Sequence, residues 1–198
     1  IIESVVEDKK VKSDYFKKLD SICSSNTIIA TNTSSLSVEE LSQNLKDPSR
    51  MLGMHFFNPV PRMALVEIVK GKKTSEKAIQ TALDFANGLG KVPVIVKDSP
   101  CFIVNRILMP YLNEAARLYQ EGVASKEDID KAAKLGLNHP MGPLSLIDLI
   151  GLDVFFEIMN NLYEKTKDNR FVPAEIIKKM IGEGKLGRKS GEGFFKYN

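Results

Sequence analysis

The sequence predicts an α/β domain built on a mainly parallel sheet, followed by an all-α domain. In the first half, short runs of β-branched residues alternate with segments of helical period, a pattern typical of helices packed on the faces of a parallel sheet. After Lys97 the strand-like runs stop and helical segments follow. We therefore predict an incomplete doubly wound sheet over residues 1–97 and a helical domain over residues 98–198.

The predicted elements of the first domain are short and regularly spaced. The strands are rich in Val, Ile and Thr, and each helix places its apolar residues on one face. Ser37 is a candidate N-cap, with Glu39 and Glu40 in the turn that follows it. The predicted strands span 1–6, 27–31, 51–56, 66–70 and 92–96, and the predicted helices span 8–23, 37–45 and 75–88.

The predicted second domain consists of helices and an extended end. Gly151 interrupts one helical segment, and Asp153 could cap the helix where it resumes. The closing residues FFKY (194–197) are expected to be extended. The predicted helices span about 101–121, 125–135, 143–163 and 173–183.

Composition argues against several classes of function. The formal net charge is only +3 over 198 residues, and no Arg/Lys run is dense enough to indicate nucleic-acid binding. The sequence has no stretch of about 18 apolar residues that could span a membrane, and its two histidines and two cysteines lack the spacing of a metal site. Cys23 and Cys101 are predicted to be buried thiols, which favours a reducing, cytoplasmic location.

Four polar residues are candidates for a catalytic site. His55 is one of only two histidines, and imidazole is the side chain best suited to move protons near neutral pH. A histidine base needs a carboxylate to fix its tautomer and stabilise its charged form, which Glu67 could supply. Ser34 and Asn105 could orient a substrate oxygen, so the set predicts proton transfer at a hydroxyl or carbonyl carbon. The alternative is a packed histidine at a strand end and an outward-facing glutamate.

Six segments of the chain resemble the L-3-hydroxyacyl-CoA dehydrogenase family, of the short-chain 3-hydroxybutyryl-CoA type. They are NTSSLS, GMHFFNPVP, LVEIV, SPCFIVNRIL, NHPMGPLSLIDLIGLD and GRKSGEGFFKYN. Their order and spacing are similar to those of the family, which is more specific than any single motif. The resemblance implies reversible, NAD-dependent oxidation of an L-3-hydroxyacyl-CoA to the 3-oxoacyl-CoA. It also implies a Rossmann-type domain followed by a helical domain that forms a homodimer.

The resemblance further implies a role for each candidate residue. His55 would be the general acid/base with Glu67 as its partner, while Ser34 and Asn105 would bind the substrate oxygen, Asn105 from across the domain boundary. By spacing alone, the charged candidates for the cofactor site would be ordinary surface residues. The residues that the resemblance places at NAD are Glu7, Lys12, Ser34, Asn58 and Lys189.

One departure from the family concerns its opening strand, GxGxxG turn and helix, for which this sequence has no match. We therefore expect a part of a complete dehydrogenase that is a poor enzyme by itself. Two alternatives stay open: a non-catalytic dimerisation or acyl-CoA-binding module, and one domain of a multifunctional β-oxidation protein. The apolar run over residues 144–159 is predicted to form the homodimer interface, with burial in its own core as the alternative.

Overall fold

The computed structural model describes residues 1–197, which divide into two compact units between Ile103 and Val104. This division lies a few residues after the boundary predicted from the sequence. Among the described residues, no helix is both long and apolar enough to cross a membrane.

The first unit is a five-stranded sheet with helices on both faces. Its strands are β1 (Ile2–Glu3), β2 (Ile29–Thr31), β3 (Met51–Phe56), β4 (Leu65–Lys70) and β5 (Val92–Lys97). Its helices are α1 (Lys9–Ile22), α2 (Val38–Ser42) and α3 (Glu76–Gly88). Each of these elements overlaps the segment predicted from the sequence, although β1 and α2 are shorter than predicted. Ser37 caps α2, as predicted, by accepting a hydrogen bond from the Glu40 amide.

The strands lie across the sheet in chain order, from β1 to β5. Neighbouring strands are parallel except β3 and β4, which are antiparallel. The segment between these two strands, residues 57–64, is shorter than the dozen or so residues that a parallel crossover needs. The carboxyl ends of β1, β2 and β3 therefore share one edge of the sheet with the amino end of β4.

Two apolar clusters hold the helices on the sheet. Successive strand residues point to opposite faces, so Leu52 packs in the cluster that contains Ala82 of α3. Its neighbour Met51 packs with Ile29 and with Phe16 of α1 on the other face. The sheet is thus doubly wound, as predicted.

The second unit contains helices α4 (Val104–Gln120), α5 (Lys126–Gly136), α6 (Pro143–Ile150), α7 (Leu152–Thr166) and α8 (Glu175–Gly182). Gly151 separates α6 from α7 with a φ of 97°, a conformation that favours glycine. Gly151 is also the N-cap of α7, so the prediction that Asp153 caps this helix is wrong. Asp153 instead lies in the first turn and forms an ion pair with Lys189.

The C-terminal segment of the second unit is anchored on Asp148. The Asp148 carboxylate accepts hydrogen bonds from the amides of Phe194 and Phe195 and from the hydroxyl of Tyr197, each 2.9 Å long. The segment forms isolated bridges, including one between Glu192 and Lys196. The prediction of an extended end is therefore wrong, because the contacts with Asp148 fold the segment onto α6.

Most of the apolar run over residues 144–159 lies in the core of its own unit. Its large buried side chains are Leu144, Ile147, Leu152, Phe155 and Met159. Leu149 and Val154 are the run's exposed large apolar side chains. The core alternative therefore holds for the buried positions. Of the two predicted buried thiols, Cys101 is buried and Cys23 is only half-buried.

Candidate active site

His55 and Glu67 face each other across β3 and β4. They are register partners in this antiparallel pair, so their side chains leave the sheet side by side. His55 Nδ1 lies 2.7 Å from Glu67 Oε2, and the two side chains are 5% and 1% exposed. An ionised carboxylate only accepts hydrogen bonds, so with Glu67 ionised this contact requires the hydrogen on His55 Nδ1 and leaves Nε2 outside it.

Two aromatic rings and one backbone amide surround the His55–Glu67 pair. The ring centroids of Phe57 and Phe102 lie 4.6 Å and 5.5 Å from that of His55. The Ile103 amide donates a 2.9 Å hydrogen bond to Glu67 Oε1. Both carboxylate oxygens thus have partners in a buried site, where electrostatic interactions are stronger than in water.

Ser34 lies in a turn after β2 that the Glu7 carboxylate holds in place. Glu7 Oε1 accepts hydrogen bonds from the Ser34 and Ser35 amides at 2.9 Å and 3.1 Å, and from the Thr33 hydroxyl at 2.5 Å. Burial opposes the ionisation of Glu7, but these hydrogen bonds and the Lys12 charge outweigh it and lower the pKa of Glu7 below 4.5. Ser34 itself is exposed, so a ligand can reach it.

Lys12 is almost wholly buried, which its sequence context does not indicate. Its ammonium lies 2.7 Å from Glu3 Oε1 and 3.4 Å from Glu7 Oε2. Glu3 Oε2 accepts a further hydrogen bond from the Thr31 hydroxyl. Buried charges are stable when paired in this way. The predicted contact of Lys12 with the cofactor would require its ammonium to leave these partners.

Asn32 lies at the carboxyl end of β2, and the sequence analysis did not single it out. Its Oδ1 accepts a 2.9 Å hydrogen bond from the Phe56 amide, which joins the ends of β2 and β3. Its position directly after a predicted strand, where open α/β sheets bind ligands, was an available signal. Asn58 lies exposed in the turn after β3, and its role at the cofactor stays a prediction.

The remaining predicted residues lie in the second unit. Asn105 is the second residue of α4 and is half-buried. Lys189 Nζ lies 2.5 Å from Asp153 Oδ2, and this hydrogen bond lowers the pKa of Asp153 below 3.8. The roles of Asn105 and Lys189 stay predictions. Among residues 1–197, no group of three or more His, Cys, Asp or Glu could hold a metal ion.

Family models match both units. Residues 1–99 match the model described as 3-hydroxyacyl-CoA dehydrogenase, NAD binding domain. Residues 102–197 match the model described as 3-hydroxyacyl-CoA dehydrogenase, C-terminal domain. The two matches together span nearly the whole chain.

Individual proteins of known name match over the full chain. It is 52% identical to the 3-hydroxybutyryl-CoA dehydrogenase of Clostridioides difficile, covering 100% of this chain and 70% of that one. It is 50% identical to the mitochondrial hydroxyacyl-coenzyme A dehydrogenase of Sus scrofa, covering 100% of this chain and 63% of that one. The crystal structure of (S)-3-hydroxybutyryl-CoA dehydrogenase from Ralstonia eutropha matches with a TM-score of 0.97 at 46% identity, over 100% of this chain and 70% of that one.

The chain thus spans about two thirds of the length of these relatives. The matches confirm the predicted fold class, the predicted enzyme class and NAD as the cofactor. The chain belongs to the 3-hydroxyacyl-CoA dehydrogenase family.

Proposed function

We propose that this chain carries the proton-transfer groups for NAD-dependent oxidation of L-3-hydroxyacyl-CoA thioesters. One observation carries the proposal: the 2.7 Å contact between His55 Nδ1 and Glu67 Oε2, in a unit that matches an NAD-binding domain. The substrate class follows from the names of the relatives, a 3-hydroxybutyryl-CoA dehydrogenase and a hydroxyacyl-coenzyme A dehydrogenase.

In the direction of oxidation, His55 Nε2 accepts the proton of the 3-hydroxyl. The resulting charge on the ring is stabilised by Glu67, which also keeps the hydrogen on Nδ1. NAD, when bound, supplies the hydride acceptor for carbon 3. In the reverse direction, the protonated His55 returns its proton to the ketone oxygen.

The exposed polar groups at the carboxyl edge of the sheet fit the nicotinamide end of the cofactor. Ser34 follows β2 and Asn58 follows β3, where doubly wound sheets bind their ligands. Their hydroxyl and amide groups can hydrogen-bond to a carboxamide. In our proposal Lys12 acts through Glu7, because its own side chain is only 1% exposed. Lys189 and Asn105 complete the proposed contacts, with the cofactor and the substrate oxygen respectively.

A cytoplasmic homodimer formed through the helical unit is part of the same proposal. Support comes from large apolar side chains that this unit leaves exposed, among them Ile107, Leu135 and Leu149 at 67%, 75% and 49%. Contiguous patches of exposed apolar side chains are typical of interaction surfaces, and the proposed dimer would cover these side chains in one such patch. Sedimentation velocity should give a dimer for the native chain and a monomer for Leu149→Asp, while a native monomer would contradict this part.

The reaction is tested by acetoacetyl-CoA-dependent oxidation of NADH by the purified protein. The chain offers a matched control, because His139 is its other histidine. Because we expect the chain to be a poor enzyme by itself, turnover should be low but measurable in the native protein and in His139→Gln. It should fall by about a further 10²- to 10⁴-fold in His55→Gln, the usual contribution of a general acid/base. Equal turnover in both variants would contradict the proposal. Binding of acetoacetyl-CoA without turnover in the native protein would support the alternative of a non-catalytic module.

A further inference from the structure

Cys101 and Phe102 are consecutive non-glycine residues with left-handed backbone, at φ values of 57° and 59°. This conformation is uncommon for residues with a Cβ atom and is strained. Strain of this kind persists only where the surroundings hold it, and it is concentrated at functional sites. Both side chains are 2% exposed, so packing can hold the turn.

The turn brings two groups to the His55–Glu67 pair. The Phe102 side chain packs in the cluster formed with Val38, Val69 and Val96 and lies beside the His55 ring. The next residue, Ile103, directs its amide at Glu67 Oε1 with a hydrogen bond of 2.9 Å. A turn that needed only to connect β5 to α4 would not require left-handed backbone at two residues with side chains.

The hydrogen bond from Ile103 determines how the carboxylate meets the imidazole. Glu67 Oε2 contacts His55 Nδ1, and Glu67 Oε1 is held by the Ile103 amide. With both oxygens fixed, the carboxylate cannot rotate away from the ring. Without the Ile103 amide, the carboxylate would be held less firmly and His55 would be less strongly held with its hydrogen on Nδ1.

We propose that the turn formed by Cys101, Phe102 and Ile103 is a positioning element for the proton-transfer pair. Its left-handed backbone aims the Ile103 amide at Glu67, and Glu67 in turn holds the hydrogen of the neutral His55 ring on Nδ1, which leaves Nε2 available to accept the substrate proton. The inference rests on the function proposed for His55. Phe102 and Ile103 are positioning residues, because they act through Glu67 and His55.

The test compares substitutions that fit the left-handed backbone with ones that do not. Cys101→Gly fits a positive φ without strain, whereas the β-branched side chain in Cys101→Val does not. Phe102→Val makes the same comparison with a side chain smaller than the native one, should Cys101→Val fail to fold. Lys167→Val is the matched control, because Lys167 has a φ of 54° at the end of α7, in the other unit.

Three quantities are measured on each variant: hydrogen exchange of the Ile103 amide, the tautomer of His55 from long-range ¹H–¹⁵N spectra, and the kinetic constants with acetoacetyl-CoA. We expect Cys101→Gly and Lys167→Val to keep the native tautomer and kcat. In Cys101→Val or Phe102→Val, exchange of the Ile103 amide should accelerate and His55 should become a mixture of tautomers. Their kcat should fall about 10- to 100-fold, as expected for misplaced catalytic groups, while KM changes less than about twofold.

A folded valine variant with rapid exchange at Ile103 but native tautomer and native kcat would overturn the proposal. The spectra need no turnover, so they separate this inference from the proposed function. If the native protein is inactive, but the His55 tautomer still changes in the valine variants of the turn, the proposed function fails and the positioning role stands.

Discussion

Glu67 in the first unit and Asp148 in the second are carboxylates of equal burial, each 1% exposed, with very different partners. Asp148 accepts two backbone amides and the hydroxyl of Tyr197. Glu67 accepts a hydrogen bond from the Ile103 amide and contacts the imidazole of His55. Amides and phenols do not change their charge near neutral pH, whereas imidazole does. Burial and a full set of hydrogen-bond partners therefore do not distinguish a candidate catalytic carboxylate from a structural one. The chemistry of its partners does.

The largest expected effect separates the two carboxylates by activity. In Glu67→Ala, His55 loses the group that fixes its tautomer and stabilises its charged form, so kcat should fall about 10²- to 10⁴-fold. The Ile103 amide would also lose its acceptor, which should lower the free energy of unfolding by about 1–3 kcal/mol. Steady-state kinetics at equal concentrations of folded protein check this, and a kcat within twofold of native would contradict it.

The second effect separates the same carboxylates by stability. Asp148→Ala leaves three donors without their acceptor, two of them buried backbone amides, and should lower the free energy of unfolding by about 3–5 kcal/mol. Its kcat per folded molecule should stay native. Urea denaturation measures the loss, with Asp153→Ala as control, because the exposed ion pair of Asp153 with Lys189 is worth less than about 1 kcal/mol. Equal losses in the two variants would show that Asp148 is not an anchor.

The pH dependence of stability sharpens the contrast further. Burial raises the pKa of Asp148 above 3.8, against the hydrogen bonds from Phe195, Phe194 and Tyr197 and with a smaller contribution from Asp130. The folded protein therefore keeps this proton where the unfolded chain has lost it. The corresponding stability is complete below pH about 3.8 and is lost as pH rises through the raised pKa.

The comparison of native protein with Asp148→Asn isolates this titration. As pH rises from about 4, the difference in unfolding free energy should shift in favour of Asp148→Asn, which has no proton to lose. Urea denaturation at a series of pH values measures the difference. A shift in favour of the native protein would mean that the hydrogen bonds to Asp148 lower its pKa by more than burial raises it.

The smallest expected effect concerns the phenol that binds Asp148. Tyr197→Phe removes one hydrogen bond and should cost about 1 kcal/mol at neutral pH. Burial, with the hydrogen bond to Asp148, raises the pKa of Tyr197 to about 12. The native protein should therefore lose its advantage over Tyr197→Phe as pH rises from about 10 to 12. A constant difference across this range in thermal denaturation would contradict the raised pKa.

The sequence predicted the elements that carry the site, because their patterns are local. Strand-like runs, the Ser37 cap and the position of His55 and Glu67 on neighbouring strands depend on nearby residues and spacing. The contacts of Lys12 with Glu3 and Glu7 could not be predicted in the same way, because they join residues through the tertiary fold.

The same limit applies to the turn beside the active site and to the C-terminal segment. Nothing local in SPCFIV indicates left-handed backbone at Cys101 and Phe102, since both residues ordinarily avoid it. The aspartate at position 148 stands in an apolar run, and its role emerges only when the distant amides of Phe194 and Phe195 reach it. Patterns of hydrophobicity thus predict where a segment lies better than which polar partners it finds.

The most direct test of the central claim is one assay on two isosteric variants, Glu67→Gln and Asp148→Asn. It measures acetoacetyl-CoA-dependent NADH oxidation and urea denaturation on the same samples. The account predicts that Glu67→Gln loses most of its kcat while its free energy of unfolding stays within about 1 kcal/mol of native. It predicts the reverse for Asp148→Asn, which should lose stability and keep its kcat per folded molecule. Native turnover in Glu67→Gln would contradict the assignment of His55 and Glu67 as the proton-transfer pair.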